Sequence, residues 1–233
     1  MDPFIIHRGR IAVLDWTDVN TDLIIPARYL KRIERTGYGP LLFADKRYAP
    51  GGAPPIDNPD AHGPLDPNFP LNRPDYNDAT ILVVGPNFGC GSSREHAVWA
   101  VSQAGYRALL APGKDEGFAD IFEGNAYNNG LLPIELADSD WQSLVQAGKE
   151  PGSALLTIDL KSQTLTLERA DGSRAAYSFT VPEAQRQRLL VGLDAIAETL
   201  VHEPDIRRHE QHAPAWIGLL PGNWSSRNGS PPV

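Results

Sequence analysis

The stretch Asn87–Ala100 reads "NFGCGSSREHAVWA". Gly89 and Gly91 flank the chain's single cysteine, Cys90, and Ser92, Ser93 and Arg94 follow at once. Glycines permit positive φ and close backbone approach. The stretch lies between the apolar run "ATILVVG" and a helical pattern, so its main-chain N–H groups converge on one point. The unpaired amides and dipole of a helix start favour an anion there. Arg94 adds a forked cation suited to a carboxylate. Gly91, Ser92, Ser93 and Arg94 are coherent as a carboxylate or oxyanion cradle.

The same residues fit a plainer role. "SSRE" matches a capping box, with Ser92 at the N-cap and Glu95 three residues on. On the residues alone, the cap and the cradle stand level. Sharper alternatives fit less well. A dinucleotide fingerprint wants a glycine where Arg94 stands, and a P-loop wants Gly-Lys-Ser/Thr. A Cys90–His96 nucleophilic pair is out of phase along the helix and lacks an Asn or Asp to orient the base. A small residue packed in a tight loop accounts better for Cys90.

Composition bounds the setting. With 233 residues the chain is long enough for one large domain. Lys plus Arg number 21 against 29 Asp plus Glu, a net charge of −8. That balance argues against a nucleic-acid partner. The short basic cluster "RRHEQH" reads as a solvated helix face. No apolar run approaches membrane-spanning length, and "MDPFIIHRGR" carries no signal-peptide pattern. One cysteine suits a reducing cytoplasm and excludes an internal disulfide framework. It also excludes a cysteine-ligated iron–sulfur cluster held by this chain alone.

The elements that must position the cradle follow an α/β pattern. "RIAVLD" predicts a strand. Thr21 or Asp22 closes a turn, and Pro26 opens a short helix over 27–33 that ends in Arg28, Lys31, Arg32 and Arg35. Pro50–Pro74, dense in proline and glycine, predicts a long surface loop. "ATILVV", "YRALLA" and "LLPIEL" predict strands, separated by helices over Ser92–Ala104 and "FADIFEGNAYNN". "DSDWQSLVQAG" predicts a helix started by Asp138 and ended by Gly148. "ALLTIDL", "QTLTLERA" and "RAAYSFT" alternate like strands, with Asp171-Gly172 turning between the last two. Helices follow from Pro182 and over "LDAIAETLVH", then a disordered tail.

Three long segments, in order, resemble one family. "DVNTDLIIPARYLKRIERTGYGPLLFADKRY", "NFGCGSSREHAVWA" and "GFADIFEGNAYNNGLLPIEL", with "VGLDAIAETLVHE" and "APAW" behind them, resemble the small subunits of 3-isopropylmalate dehydratases in the aconitase superfamily. The resemblance implies a single swivelling β/β/α domain over 1–233, with a mixed, barrel-like sheet core over about 9–216 and a flexible tail over 217–233. It implies a hydro-lyase of leucine biosynthesis, active only with a large subunit that holds a [4Fe–4S] cluster. This chain would bind no cofactor or metal of its own. Ser92 would be the base, Arg94 the carboxylate-binding arginine, and Ser93 and Gly91 part of the cradle. Lys31 and Arg32 fall in the family's specificity loop, and Thr21 and Asp22 support it. Three features depart from the pattern: the insertion "GKDEG", the long Ala49–Pro64 stretch, and Val98 where the family often carries proline. The resemblance implies a small dicarboxylate as substrate. Homoaconitate- or methylmalate-type isomerases are the nearest alternative, and a stand-alone anion-binding module a more distant one.

Overall fold

The structure is a computed structural model and describes residues 1–113, 117–150, 154–193 and 195–212. Its contacts group the chain into Met1–Asp194 and Ala195–Val233. The first unit is built on one seven-stranded mixed sheet, curled as a half-barrel.

Strand β1 (Ile6–Leu14) enters first, and the one-turn helix α1 (Thr21–Ile24) and the short helix α2 (Ala44–Arg47) follow. Strand β2 (Ala79–Val84), helix α3 (Glu95–Gln103), strand β3 (Ala108–Pro112), helix α4 (Asp120–Asn128) and strand β4 (Leu132–Leu136) come next. β1 to β4 pair in parallel. Parallel neighbours need a crossover, which α3 and α4 supply for the last two pairs. The apolar run of β2 is buried almost throughout, as a parallel strand covered on both faces requires.

Helix α5 (Asp138–Lys149) packs across β1, β2 and β3. Then come β5 (Leu155–Asp159), β6 (Thr164–Glu168) and β7 (Arg174–Ser178), an antiparallel meander. β5 pairs with the other edge of β1, so the sheet order is β4-β3-β2-β1-β5-β6-β7. Leu165 and Leu167 of β6 point inward while their neighbours face solvent. Asp171-Gly172 turns between β6 and β7 as expected, with Gly172 at φ +81° and Asp171 Oδ1 accepting from Ser173 N at 2.8 Å. Helix α6 (Glu183–Val191) closes the unit.

Four expectations need correction. The segment 27–33 is a 3-10 turn over Ala27–Lys31, entered from Pro26. Helix α3 starts at Glu95, not at Ser92. Asp138 does not cap α5; Ala137 precedes the helix without a side-chain cap. Gly148 does not end α5 but lies inside it, against Val13 and Ile11 of β1. Its missing side chain serves close packing rather than a left-handed cap.

The Pro50–Pro74 loop holds no strand, as its composition dictates. Its first part is closed on itself by Ala49 N to Pro64 O at 3.0 Å and Gly63 N to Gly52 O at 2.8 Å. The buried Tyr29 hydroxyl donates to Pro54 O at 2.8 Å. Of the insertion "GKDEG", residues 114–116 lie outside the described residues.

The second unit holds α7 (Ala195–Leu200) and α8 (Glu203–His212). α8 is exposed along its length and carries Arg207–Glu203 and Arg208–Asp205 pairs, so "RRHEQH" is a solvated face as expected. The core's expected end at 216 and the tail 217–233 lie outside the described residues.

Candidate active site

The loop that leaves β2 is fastened on two sides. On one, Gly89 N donates to Val19 O at 2.7 Å and Thr21 N to Cys90 O at 2.9 Å. Thr21, 2% exposed, adds a hydroxyl bond to Ser92 O at 2.9 Å. On the other, Phe88 N donates to Gly117 O and Ala119 N to Phe88 O, both at 3.0 Å. Two glycines make this path possible. Gly89 sits at φ +81°, and a Cβ there would lie 2.3 Å from Phe122 Cγ. Gly91 sits at φ +94°. A side chain at either position would be strained, and at Gly89 it would also collide.

The loop delivers Gly91, Ser92, Ser93 and Arg94 to a cleft of about 210 Å³. Its opposite wall is the start of α4, Ala119 to Phe122. α3 also begins at this cleft, immediately after Arg94. Neither helix has a side-chain cap at its N-terminus. Two helix starts without side-chain caps, where amides and dipoles favour an anion, therefore border one cavity, with the Asp120 carboxylate of α4 in the same lining. The larger cleft of about 660 Å³ shares Asp120 with this one, adds Glu123 and Glu135, and has no arginine or lysine in its lining.

Ser92 is exposed and lies outside α3, making no cap bond to it. The capping-box reading of "SSRE" therefore fails: Arg94, in extended conformation, holds the N-cap position. Ser93 is exposed beside it. The Arg94 side chain is 15% exposed and forms an ion pair through Nη1 with Asp22 Oδ1. The contact is close but is not aligned as a hydrogen bond, so Nη1 remains a buried donor without a true acceptor. Glu95 is engaged elsewhere, accepting from Asn129 Nδ2 at 2.9 Å. The Tyr127 hydroxyl donates to Glu123 at 3.3 Å.

The structure brings Thr21, Asp22, Gly91, Ser92, Ser93 and Arg94 together. It does not bring Lys31 and Arg32 to the cleft lining. Lys31 is exposed at the end of its 3-10 turn. The Arg32 side chain is 8% exposed; its guanidinium donates to Ile56 O and Thr36 O, pairs with Glu34 at 3.7 Å and lies 5.6 Å from the Tyr38 ring centre. In this arrangement Arg32 ties its own loop to the proline-rich segment.

Cys90 and His96 do not form a nucleophilic pair. Burial, with Asp18 nearby, pushes the Cys90 thiol up, away from the thiolate. The His96 ring packs on Tyr38 and Trp99 at 5.5 and 4.7 Å, and burial pushes its pKa down. Among the described residues no group of three or more His, Cys, Asp or Glu could hold a metal ion. No described helix is long and apolar enough to cross a membrane.

Sequence reasoning missed the α4 wall. Ile121 is 55% exposed there and gives the cleft an apolar side. The signal was a second strand-to-helix junction, "GFADIF", shaped like the first. The Gly89–Phe122 contact that joins the two junctions has no trace in local spacing.

Comparison with known proteins agrees with this geometry. The aconitase C-terminal domain family model matches residues 1–139. The 3-isopropylmalate dehydratase small subunit of Desulforapulum autotrophicum is 45% identical over 224 residues, covering 93% of this chain and 98% of that one. The Bacillus licheniformis protein of the same name is 42% identical, covering 93% and 99%. The crystal structure of 3-isopropylmalate dehydratase (leuD) from Methanocaldococcus jannaschii has the same fold, with TM-score 0.55 and 24% identity over 89% of this chain and 99% of that one. The chain belongs to the family of 3-isopropylmalate dehydratase small subunits, built on the aconitase C-terminal domain.

Proposed function

We propose that this chain is the smaller half of a cytoplasmic hydro-lyase of leucine biosynthesis. It isomerises 2-isopropylmalate to 3-isopropylmalate through an enoic diacid, together with a large subunit. The observation that carries this reading is the cleft itself: two uncapped helix starts and the Arg94 guanidinium surround one cavity, with Ser92 at its edge. Arg94 holds a substrate carboxylate, and the loop amides add donors. Ser92 Oγ takes the proton from carbon and returns it in the reverse sense. Serine is a poor base, so its alkoxide needs the positive field that the two helix ends supply. Ile121 gives the alkyl arm an apolar surface.

A [4Fe–4S] cluster on the large subunit would supply the Lewis acid for the hydroxyl. The residues here do not fit such a cluster. The chain has one cysteine, half-buried, with its thiol pushed away from the ligating form. Its own part is to bind the diacid and move the proton.

The test is anaerobic reconstitution with the cognate large subunit and assay on a panel of 2-alkylmalates. Expected are highest kcat/KM on 2-isopropylmalate, no turnover by this chain alone, and loss of most turnover in Ser92→Ala with its Tm nearly unchanged, because Ser92 caps nothing. Preference for homoaconitate or 2-methylmalate would replace the substrate. A Ser92→Ala variant with wild-type rate would remove the base.

A further inference from the structure

Arg94 does not stand free in the cleft. Asp22 pairs with it through Nη1, and among the described residues Asp22 is its one ionic partner. Asp22 comes from α1, a turn with no catalytic residue of its own. Bonds within the chain hold that turn in place. Asn20 caps it, its Oδ1 accepting from Leu23 N at 2.8 Å. Thr21, next to Asp22, is buried and bonded to the loop at both Cys90 O and Ser92 O. Residues 20–22 and 90–94 thus form one braced unit. Thr21 holds the backbone that carries Ser92, and Asp22 forms the ion pair with the side chain of Arg94.

We infer that Asp22 is a positioning residue for Arg94, and that it does not contact the substrate itself. The inference rests on the carboxylate-binding role proposed above. A guanidinium has five donors in a planar fork. Holding Nη1 from one side leaves the Nε–Nη2 edge for a bidentate substrate carboxylate. A mostly buried cation also needs a counter-charge. Asp22, 56% exposed, supplies it from the solvent side without filling the cleft. Positioning of this kind shows chiefly in binding and orientation, since a displaced group can cost up to about 100-fold.

The experiment is a double-mutant cycle in the reconstituted two-subunit enzyme, using Asp22→Ala, Asp22→Asn, Arg94→Lys and the double variants. Asp22→Ala is expected to raise KM by about 10-fold, with a smaller loss of kcat, and Asp22→Asn to fall between it and wild type. In the Arg94→Lys background the same changes should cost less than about 2-fold, because the partner they act through is gone. Equal cost in both backgrounds overturns the inference, and so does a fall in KM on removing Asp22, which would make the aspartate a competitor. A separate readout uses the isolated full chain. The Arg94 side-chain NMR signals should be restricted in wild type and averaged in Asp22→Ala; no change between the two overturns the inference. If Arg94→Lys alone leaves kinetics untouched while the NMR change is present, the carboxylate reading fails and the positioning of Arg94 by Asp22 stands.

Discussion

Arg94 is where residue chemistry decides the reading. Its guanidinium is largely out of water, and Asp22 meets it at Nη1 alone, so the rest of a buried fork stands open to a second anion. A surface pairing would give little reason for it, since such pairs are worth about 1 kcal/mol or less. Arg94→Lys keeps the charge but replaces a planar fork by a point donor. Loss of one charge-assisted contact in the transition state is worth about 2–4 kcal/mol, or roughly 30- to 1000-fold in rate. We expect kcat/KM of the reconstituted Arg94→Lys enzyme to fall in that range. A value within a few-fold of wild type would place Arg94 outside the chemistry. Ser92, Ser93, Arg94 and Gly91 were legible as a set because glycine and arginine are restrictive choices. Asp22 was legible only as loop support. Its pairing joins residues far apart in the chain, and nothing in the local pattern of "NTDLI" points across to the β2 loop.

At the scale of elements, the apolar strands were the clearest feature, because a strand buried on both faces admits few polar residues. Helix ends were the least clear. "SSRE" carries the letters of a cap, yet α3 starts three residues later and leaves its amides open to the cleft. A capped helix would have satisfied amides that the anion needs. Gly148 misled for a related reason: a glycine near a helix end usually marks a left-handed cap. Here it lets α5 lie on β1. A Cβ at this position would approach Val13 Cγ2 to 2.5 Å and Ile11 Cγ2 to 3.1 Å. Helix propensity alone favours alanine over glycine by about 1 kcal/mol. Overpacking against stiff β-branched neighbours costs about 1–3 kcal/mol. Packing therefore outweighs propensity, and Gly148→Ala should lower the stability measured by urea unfolding by up to about 2 kcal/mol. A more stable variant would show that α5 has room to move.

For the whole molecule, two histidines set a pH dependence. Burial lowers the pKa of His7, whose Nε2 lies 2.8 Å from Thr80 Oγ1, and burial also lowers that of His96. An unfolded histidine takes its proton near pH 6.5. The folded ones take theirs only at lower pH. Between those values the unfolded chain binds more protons, so stability rises with pH. It is fully present above about pH 6.5 and declines as the pH falls through that value toward the folded pKa values. The carboxylates held low, Asp159, Asp171 and Glu183, act in a more acid range, below their ordinary values of 3.8 to 4.5. Tm should therefore drop between pH 7.5 and 5.5, and His7→Gln with His96→Gln should flatten the slope. A Tm that holds or rises over that range would contradict this assignment.

The strand order has a consequence in time. β1 is made first yet ends in the middle of the sheet, paired with β2 on one edge and β5 on the other. During synthesis its apolar residues leave the ribosome with neither neighbour yet in existence. The first partner to arrive is β2, beginning at Ala79, and the second is β5, beginning at Leu155. Pairing over such separations is slow, because the closure entropy comes before any ladder is made. Until β2 has emerged the half Arg10–Leu14 stays unpaired, and until β5 has emerged so does the half Ile6–Arg10; bare apolar strand of this kind is what chaperones recognise and neighbouring nascent chains can capture.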